Sequence, residues 1–332
     1  MTTTTVAPGT LSTAQAINRA LHDALAEDPA VLVLGEDVGP LGGVFRVTDG
    51  LTAAFGEDRC FDTPLAEAGI AGFAVGLAMN GMRPVIEMQF DAFAYPAFEQ
   101  VVSHIAKMRN RTRGRVELPL VMRVPYAGGI GGVEHHCDSS EAYYAHTPGL
   151  HVVAPSTPGD AYALLREAIA SPDPVVFLEP KKLYWAKGEV GGEQVPGIGT
   201  AVVRRAGTDA TLIAYGPSVP VALAAAEAAA QDGRSLQVVD LRSLVPYDDA
   251  TVCAAVESTG RAVVVAEAAG FAGFAAEVAA RVSERCFHSL AAPVRRVTGL
   301  DIPFPPPKLE HLQLPSVDRV LDAVDDLQWE DA

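Results

Sequence analysis

The sequence predicts an α/β chain of two domains, each a mostly parallel sheet wrapped by helices. Three observations carry that expectation. Short apolar runs alternate with longer segments of helical periodicity along the chain. The 332 residues exceed one ordinary core and suit two domains. Between residues 187 and 207 the composition shifts to Gly, Glu, Val and Pro, as in a linker.

In chain order, residues 11–26 show helical spacing and 30–35 read as a buried strand ending at Glu36 and Asp37. Thr63 is placed to cap the next helix, with Pro64 at its first position and Glu67 in its first turn. Gly69, Gly72 and Gly76 share one face of that helix, where another backbone or a flat ligand can approach. Residues 85–90 are a second strand, and a helix follows Pro96 to about residue 110. Residues 118–124 form a third strand that runs into the loop Gly128-Gly129-Ile130-Gly131-Gly132. Strands at 151–154 and 175–178 flank a helix at about 158–170, capped by Ser156 or Thr157. Beyond the linker, strands at 210–215, 236–241, 262–266 and 294–297 alternate with helices at about 219–231, 248–258 and 271–289. The proline-rich stretch 302–307 closes the second domain, and the acidic end 322–331 is expected to continue as a short helix or to fray.

Twenty-five basic against 41 acidic side chains leave a net charge of −16, which opposes binding to nucleic acid or an anionic membrane. The same charge aids solubility. Cys60, Cys137, Cys253 and Cys286 are far apart and form no CxxC pair, so neither a disulfide framework nor a zinc cluster is indicated. The first residues lack a signal-peptide or transit pattern and no apolar run is long enough to span a membrane; a cytoplasmic location is expected.

Glu67 could simply complement a helix dipole, and the glycines could serve helix packing. The loop 128–132 matches neither the Walker nor the GxGxxG pattern. His135, His136, Cys137 and Asp138 could ligate a metal, but neighbouring residues rarely converge on one ion. A histidine reached through a glycine loop also suits proton donation or substrate positioning, or plain packing. Phe90, Phe93, Tyr95 and Phe98 crowd a strand end, as core or as a stacking platform. The Gly-Asp-Gly and downstream Asn that hold magnesium and diphosphate in thiamine enzymes are missing. If thiamine diphosphate binds, another chain must hold its charged tail.

Taken together, residues 35–39, 42–48, 62–72, 87–90, His136, 146–150, 153–158, 179–181, 240–242 and 259–261 resemble the beta subunit of the decarboxylating first component of 2-oxo acid dehydrogenase complexes, in order and spacing. The resemblance implies a pyrimidine-binding transketolase-like domain (1–188), a linker (189–206) and a transketolase C-terminal-type domain (207–332). It implies thiamine diphosphate shared with an alpha subunit that holds the magnesium, in an alpha-two beta-two heterotetramer serving a lipoylated acyltransferase core. Glu67 matches the glutamate that hydrogen-bonds the pyrimidine ring nitrogen, and Phe93 the aromatic residue stacked on that ring. His136 matches the histidine near the lipoyl approach, with His135 and Cys137 departing from the usual neighbours. A monovalent cation such as potassium is implied at positions matching Leu120, Ala168, Ile169 and Asp173.

Two stretches, 89–98 and 179–184, resemble branched-chain members more than pyruvate members, so oxidative decarboxylation of a branched-chain 2-oxo acid with reductive acylation of a lipoyl group is the favoured expectation. The alternatives are a pyruvate or acetoin dehydrogenase beta subunit, a mainly assembly-type subunit docking the acyltransferase, or a nucleotide-dependent enzyme unrelated to thiamine.

Overall fold

The computed structural model describes residues 9–191 and 195–327. Its strands are β1 (Gly9–Ser12), β2 (Val31–Gly35), β3 (Cys60–Asp62), β4 (Arg83–Glu87), β5 (Val121–Tyr126), β6 (His151–Val153), β7 (Val175–Pro180), β8 (Lys187–Val190), β9 (Val202–Arg205), β10 (Ala210–Ala214), β11 (Leu236–Asp240), β12 (Ser243–Val245), β13 (Ala262–Ala269) and β14 (Arg295–Gly299).

The first large sheet runs β12-β6-β7-β5-β4-β2-β3, and the second β14-β13-β10-β11-β9. Strands β2 to β7 are parallel to their neighbours, as buried strands joined by helices must be. The antiparallel exceptions are edge strands: β12 on β6 and β9 on β11. β12 comes from beyond the linker, so the second half of the chain contributes an edge to the first sheet. β1 and β8 form a separate antiparallel pair.

Helices Thr13–Glu27 and Pro158–Ala170 cover one face of the first sheet, where Ile17, Leu21, Leu164 and Leu165 meet Val33, Val121 and Phe177. On the opposite face Ile70, Ala74, Ile86 and Met122 belong to a core that continues through Tyr126 into Ile213, Val239 and Val264 of the second sheet. The two domains therefore share apolar packing rather than only a tether. Helices Ser218–Gln231 and Val317–Asp325 cover the far face of the second sheet.

Local chemistry explains several helix starts. Ser12 and Gln15 form a capping box, and Thr157 accepts the Asp160 amide with Pro158 at the first position. The expected Thr63 cap is not formed. The Thr63 amide instead donates to Gly35 O at 2.8 Å, extending the strand pairing, and the helix starts at Glu67 with Ala66 before it. The single helix expected after Pro96 is also broken up. A 3₁₀ stretch Ala92–Ala97, which contains the donor-less proline, leads into Phe98–Gln100, a wide π turn Val101–Ile105 and Met108–Arg111. The sequence pattern offers no counterpart to the short strands β1, β3 and β12; β8 and β9 both lie in the stretch 187–207, which reads as a linker with one short extended segment.

Candidate functional site

In a parallel sheet the carboxyl ends of the strands share one edge, and the connections leaving them build the site. Glu36 follows β2, Glu67 follows β3, Gln89, Phe90 and Phe93 follow β4, His136 follows β5 and Lys181 follows β7.

Glu67 is half-buried at the first position of helix Glu67–Met79, where the helix dipole favours a negative charge. Its neighbour Glu36 is buried, and one carboxylate oxygen of Glu36 has no hydrogen-bond partner among the described residues. Burial raises the Glu36 carboxyl above its ordinary range, and the charges of Glu67 and Asp37 push the same way. Burial and these two charges together favour the neutral, protonated form of Glu36. Gln89 Nε2 donates to Asp37 Oδ2 at 2.9 Å and fixes this edge.

Phe93 is half-buried on the 3₁₀ turn against which helix Glu67–Met79 packs. Its ring lies edge-on to Phe90 at 5.2 Å and to His136 at 5.3 Å, and His136 meets Phe90 at 4.4 Å. The chain therefore brings Phe93 and His136 into one aromatic cluster. His136 Nδ1 is buried without a hydrogen-bond partner among the described residues.

Beneath this edge, Arg123 is fully buried. It donates through Nη1 to Glu87 at 2.5 Å and through Nε and Nη2 to Glu179 at 2.6 and 2.9 Å, while Tyr184 Oη donates to Glu179 at 2.6 Å. This network ties β4, β5 and β7 together under the site. Asp91 and Lys181 are also buried; burial raises the first and lowers the second, which brings both toward neutrality. The Lys181 ammonium lies 5.7 Å from the Phe90 ring centroid.

Sequence reasoning missed Glu36, Asp91 and Lys181 as parts of this edge. Charged residues at the ends of apolar runs were the available signal. The metal reading of residues 135–138 gains nothing: His135 is exposed, Cys137 is buried with its thiol pushed up to about 11 by burial, and among the described residues no cluster of three or more His, Cys, Asp or Glu side chains is arranged for a metal.

At the positions matched to a monovalent cation, Leu120 O accepts the Val175 amide at 2.9 Å and Ala168 O the Ser171 amide at 3.2 Å. Ile169 O accepts Arg83 Nη1 at 3.0 Å, Asp173 O accepts Ser171 Oγ at 3.0 Å, and the Asp173 carboxylate binds Arg109 at 2.6 Å. These groups are not brought to Glu67, Phe93 or His136.

The glycine face of helix Glu67–Met79 is open. Gly69 and Gly76 are exposed, a Cβ added at Gly76 would meet no atom within 4 Å, and Phe73 beside them is 53% exposed. A separate cleft of about 1240 Å³ between the domains is lined by residues that include Tyr143, His146, Tyr247 and Arg281, and by none of Glu67, Phe93 and His136. No helix among the described residues is long and apolar enough to cross a membrane.

Residues 9–186 match the family model of the transketolase pyrimidine-binding domain, and residues 199–320 that of the transketolase C-terminal domain. The chain is 58% identical over 312 residues to a pyruvate dehydrogenase E1 component subunit beta from Leifsonia xyli subsp. xyli, covering 94% of this chain and 93% of that one. It is 57% identical over 317 residues to a 3-methyl-2-oxobutanoate dehydrogenase subunit beta from Mycobacterium tuberculosis, covering 95% and 91%. In structure it is similar to a split-gene transketolase described as an inactive beta4 tetramer, with TM-score 0.75 and 24% identity over 96% of this chain and 98% of that one.

Proposed function

Because the chain belongs to the family of E1 beta subunits of 2-oxo acid dehydrogenases, built from transketolase pyrimidine-binding and C-terminal domains, we propose that it forms the pyrimidine half of a thiamine diphosphate site shared with an alpha subunit. The observation that carries this reading is the single sheet edge where Glu67 heads an open glycine-faced helix and Phe93 and His136 share one aromatic cluster. The residues fit the group: an aromatic ring, a carboxylate at a helix start and an imidazole beside that ring are what an aminopyrimidine and a lipoyl arm require.

When bound, thiamine diphosphate supplies the nucleophile and electron sink for decarboxylation. Glu67 hydrogen-bonds the pyrimidine ring nitrogen and holds a proton there. Phe93 stacks on the ring and orients it. His136 orients or protonates the lipoyl dithiolane through its imidazole. The alpha subunit holds magnesium and the diphosphate, the assembly is an alpha-two beta-two heterotetramer in the cytoplasm, and a lipoylated acyltransferase core accepts the acyl group. A potassium-type ion at Leu120, Ala168, Ile169 and Asp173 would use the second lone pairs of carbonyls already engaged, in competition with Arg83.

Branched-chain 2-oxo acids are the favoured substrates, on the strength of residues 89–98 and 179–184. Pyruvate and acetoin form the second reading, since identity to the pyruvate and branched-chain relatives is nearly equal. Reconstitution with a candidate alpha subunit, magnesium and thiamine diphosphate, comparing 3-methyl-2-oxobutanoate with pyruvate, decides between them. In the same assay Glu67→Gln is expected to lose about 100-fold or more in turnover with either acid while still binding the alpha subunit. Near-normal turnover would reject the proton-holding role, and turnover that depends on neither Glu67 nor Phe93 while the acyltransferase still docks would favour the assembly-only reading.

A further inference from the structure

The loop that carries His136 is closed on itself and held from across the domain boundary. The Ala127 amide donates to Asp138 O at 2.7 Å, so the two ends of loop 127–138 meet. Three glycine amides of this loop donate to carboxylates of the second domain. Gly128 donates to Glu267 Oε1, Gly129 to Glu310 Oε1 at 2.5 Å, and Gly131 to Glu310 Oε2 at 3.2 Å. Glu267 lies in β13 and is 8% exposed; Glu310 opens the short helix Glu310–Gln313 that follows the proline-rich stretch.

The fit leaves no room for a side chain at Gly128 or Gly129. A Cβ at Gly128 would meet the Phe304 ring at 2.5 Å, and one at Gly129, where φ is +84°, would meet the Lys182 side chain at 2.6 Å. Carboxylates accepting backbone amides make strong, charge-assisted bonds, and a buried carboxylate stripped of its donor is costly. At its far end the loop turns through Glu134–His136, buries Cys137 against Gly132 and presents the imidazole to Phe90 and Phe93.

We propose that Glu267 and Glu310 are positioning residues for His136: the second domain sets, through the glycine amides, where the imidazole stands beside Phe93. This rests on the reading of His136 as the group that meets the lipoyl arm. It assigns the C-terminal domain and its proline-rich stretch a part in acyl transfer, although neither carboxylate touches the acyl acceptor.

The test uses the reconstituted heterotetramer with Glu310→Ala, Glu310→Gln and, separately, His136→Gln. Amide hydrogen exchange across residues 127–138 is measured on the unloaded assembly. Decarboxylation is followed with a dye acceptor and acyl transfer with a lipoylated domain. Loss of both Glu310 bonds is expected to speed exchange at Gly129 and Gly131 by about ten- to a hundredfold. Acyl transfer should fall several-fold more than decarboxylation, and Glu310→Gln, which keeps one acceptor oxygen, should recover part of both. Unchanged exchange in Glu310→Ala, or an equal fall in the two rates, overturns the proposal. If Glu310→Ala loosens the loop but His136→Gln leaves acyl transfer intact, the role given to His136 fails and the positioning role falls with it. If His136→Gln abolishes transfer and Glu310→Ala changes nothing, only the positioning role is lost.

Discussion

The Tyr215 hydroxyl, in the second domain, donates a 2.7 Å hydrogen bond to Glu141 Oε1 in the first, and both residues are buried. Burial raises the Glu141 carboxyl and the Tyr215 bond pulls it back down, so the contact is an electrostatic tie across the domain seam. The second oxygen of Glu141 has no partner among the described residues. Tyr215→Phe therefore leaves a buried carboxylate with less support and is expected to cost about 1–3 kcal/mol. Denaturant unfolding of the full chain checks this; a change within 0.5 kcal/mol, the ordinary range for exposed sites, would remove the tie from the account.

Arg123 makes a sharper case, because its two carboxylate partners remain buried when it is removed. Arg123→Met should destabilise the chain by about 3–5 kcal/mol. Adding Glu87→Gln and Glu179→Gln should recover part of the loss, since the neutral amides relieve two like charges in an apolar setting. A triple variant no more stable than the single one would show that packing, not charge, dominates at this position.

Glu267 yields a prediction in pH. Burial pushes its carboxyl from an ordinary 4.5 up to about 7, against the pull of the Gly128 amide. The folded chain then binds a proton more tightly than the unfolded chain. The resulting stabilisation is complete below about pH 4.5 and is lost as the pH rises through about 7. The full swing is about 3 kcal/mol at 1.36 kcal/mol per pKa unit. Glu267→Gln keeps an acceptor for Gly128 without a titrating proton, so its stability should fall less than wild type between pH 5 and pH 8. Parallel pH profiles for the two proteins would contradict the buried, proton-holding Glu267.

Gly76 separates folding from assembly. A side chain there meets nothing within 4 Å in this chain, and replacing an exposed mid-helix glycine gains about 0.5–1 kcal/mol of helix stability. Gly76→Leu should leave the melting temperature of the isolated chain unchanged or raised, and weaken association with the alpha subunit in sedimentation or titration calorimetry. This expectation holds if the alpha subunit packs on the open glycine face, and unimpaired assembly would place its contact elsewhere.

How much was legible beforehand can be judged residue by residue. The alternation of strand and helix follows from local periodicity, which a sequence displays directly; Glu67 near a helix start is read from Thr63 and Pro64, and the helix starts at Glu67 without either of them. The cap at Thr63 does not form, because the Thr63 amide is drawn into pairing with Gly35, a strand distant in sequence. β12 and β9 are too short to show a period, and their pairing with β6 and β11 depends on partners elsewhere in the chain.

By itself the sequence determined the two-domain α/β architecture, the family resemblance and the identities of Glu67, Phe93 and His136 as residues to watch, because these are properties of composition, period and motif. Only the tertiary structure decided that Phe93 and His136 share one aromatic cluster, that the charge of Glu67 bears on Glu36, and that Glu267 and Glu310 hold a glycine loop of the other domain. Those relations join segments far apart in the chain. They are set by how sheets stack and which groups lose water, and no local pattern of residues encodes either.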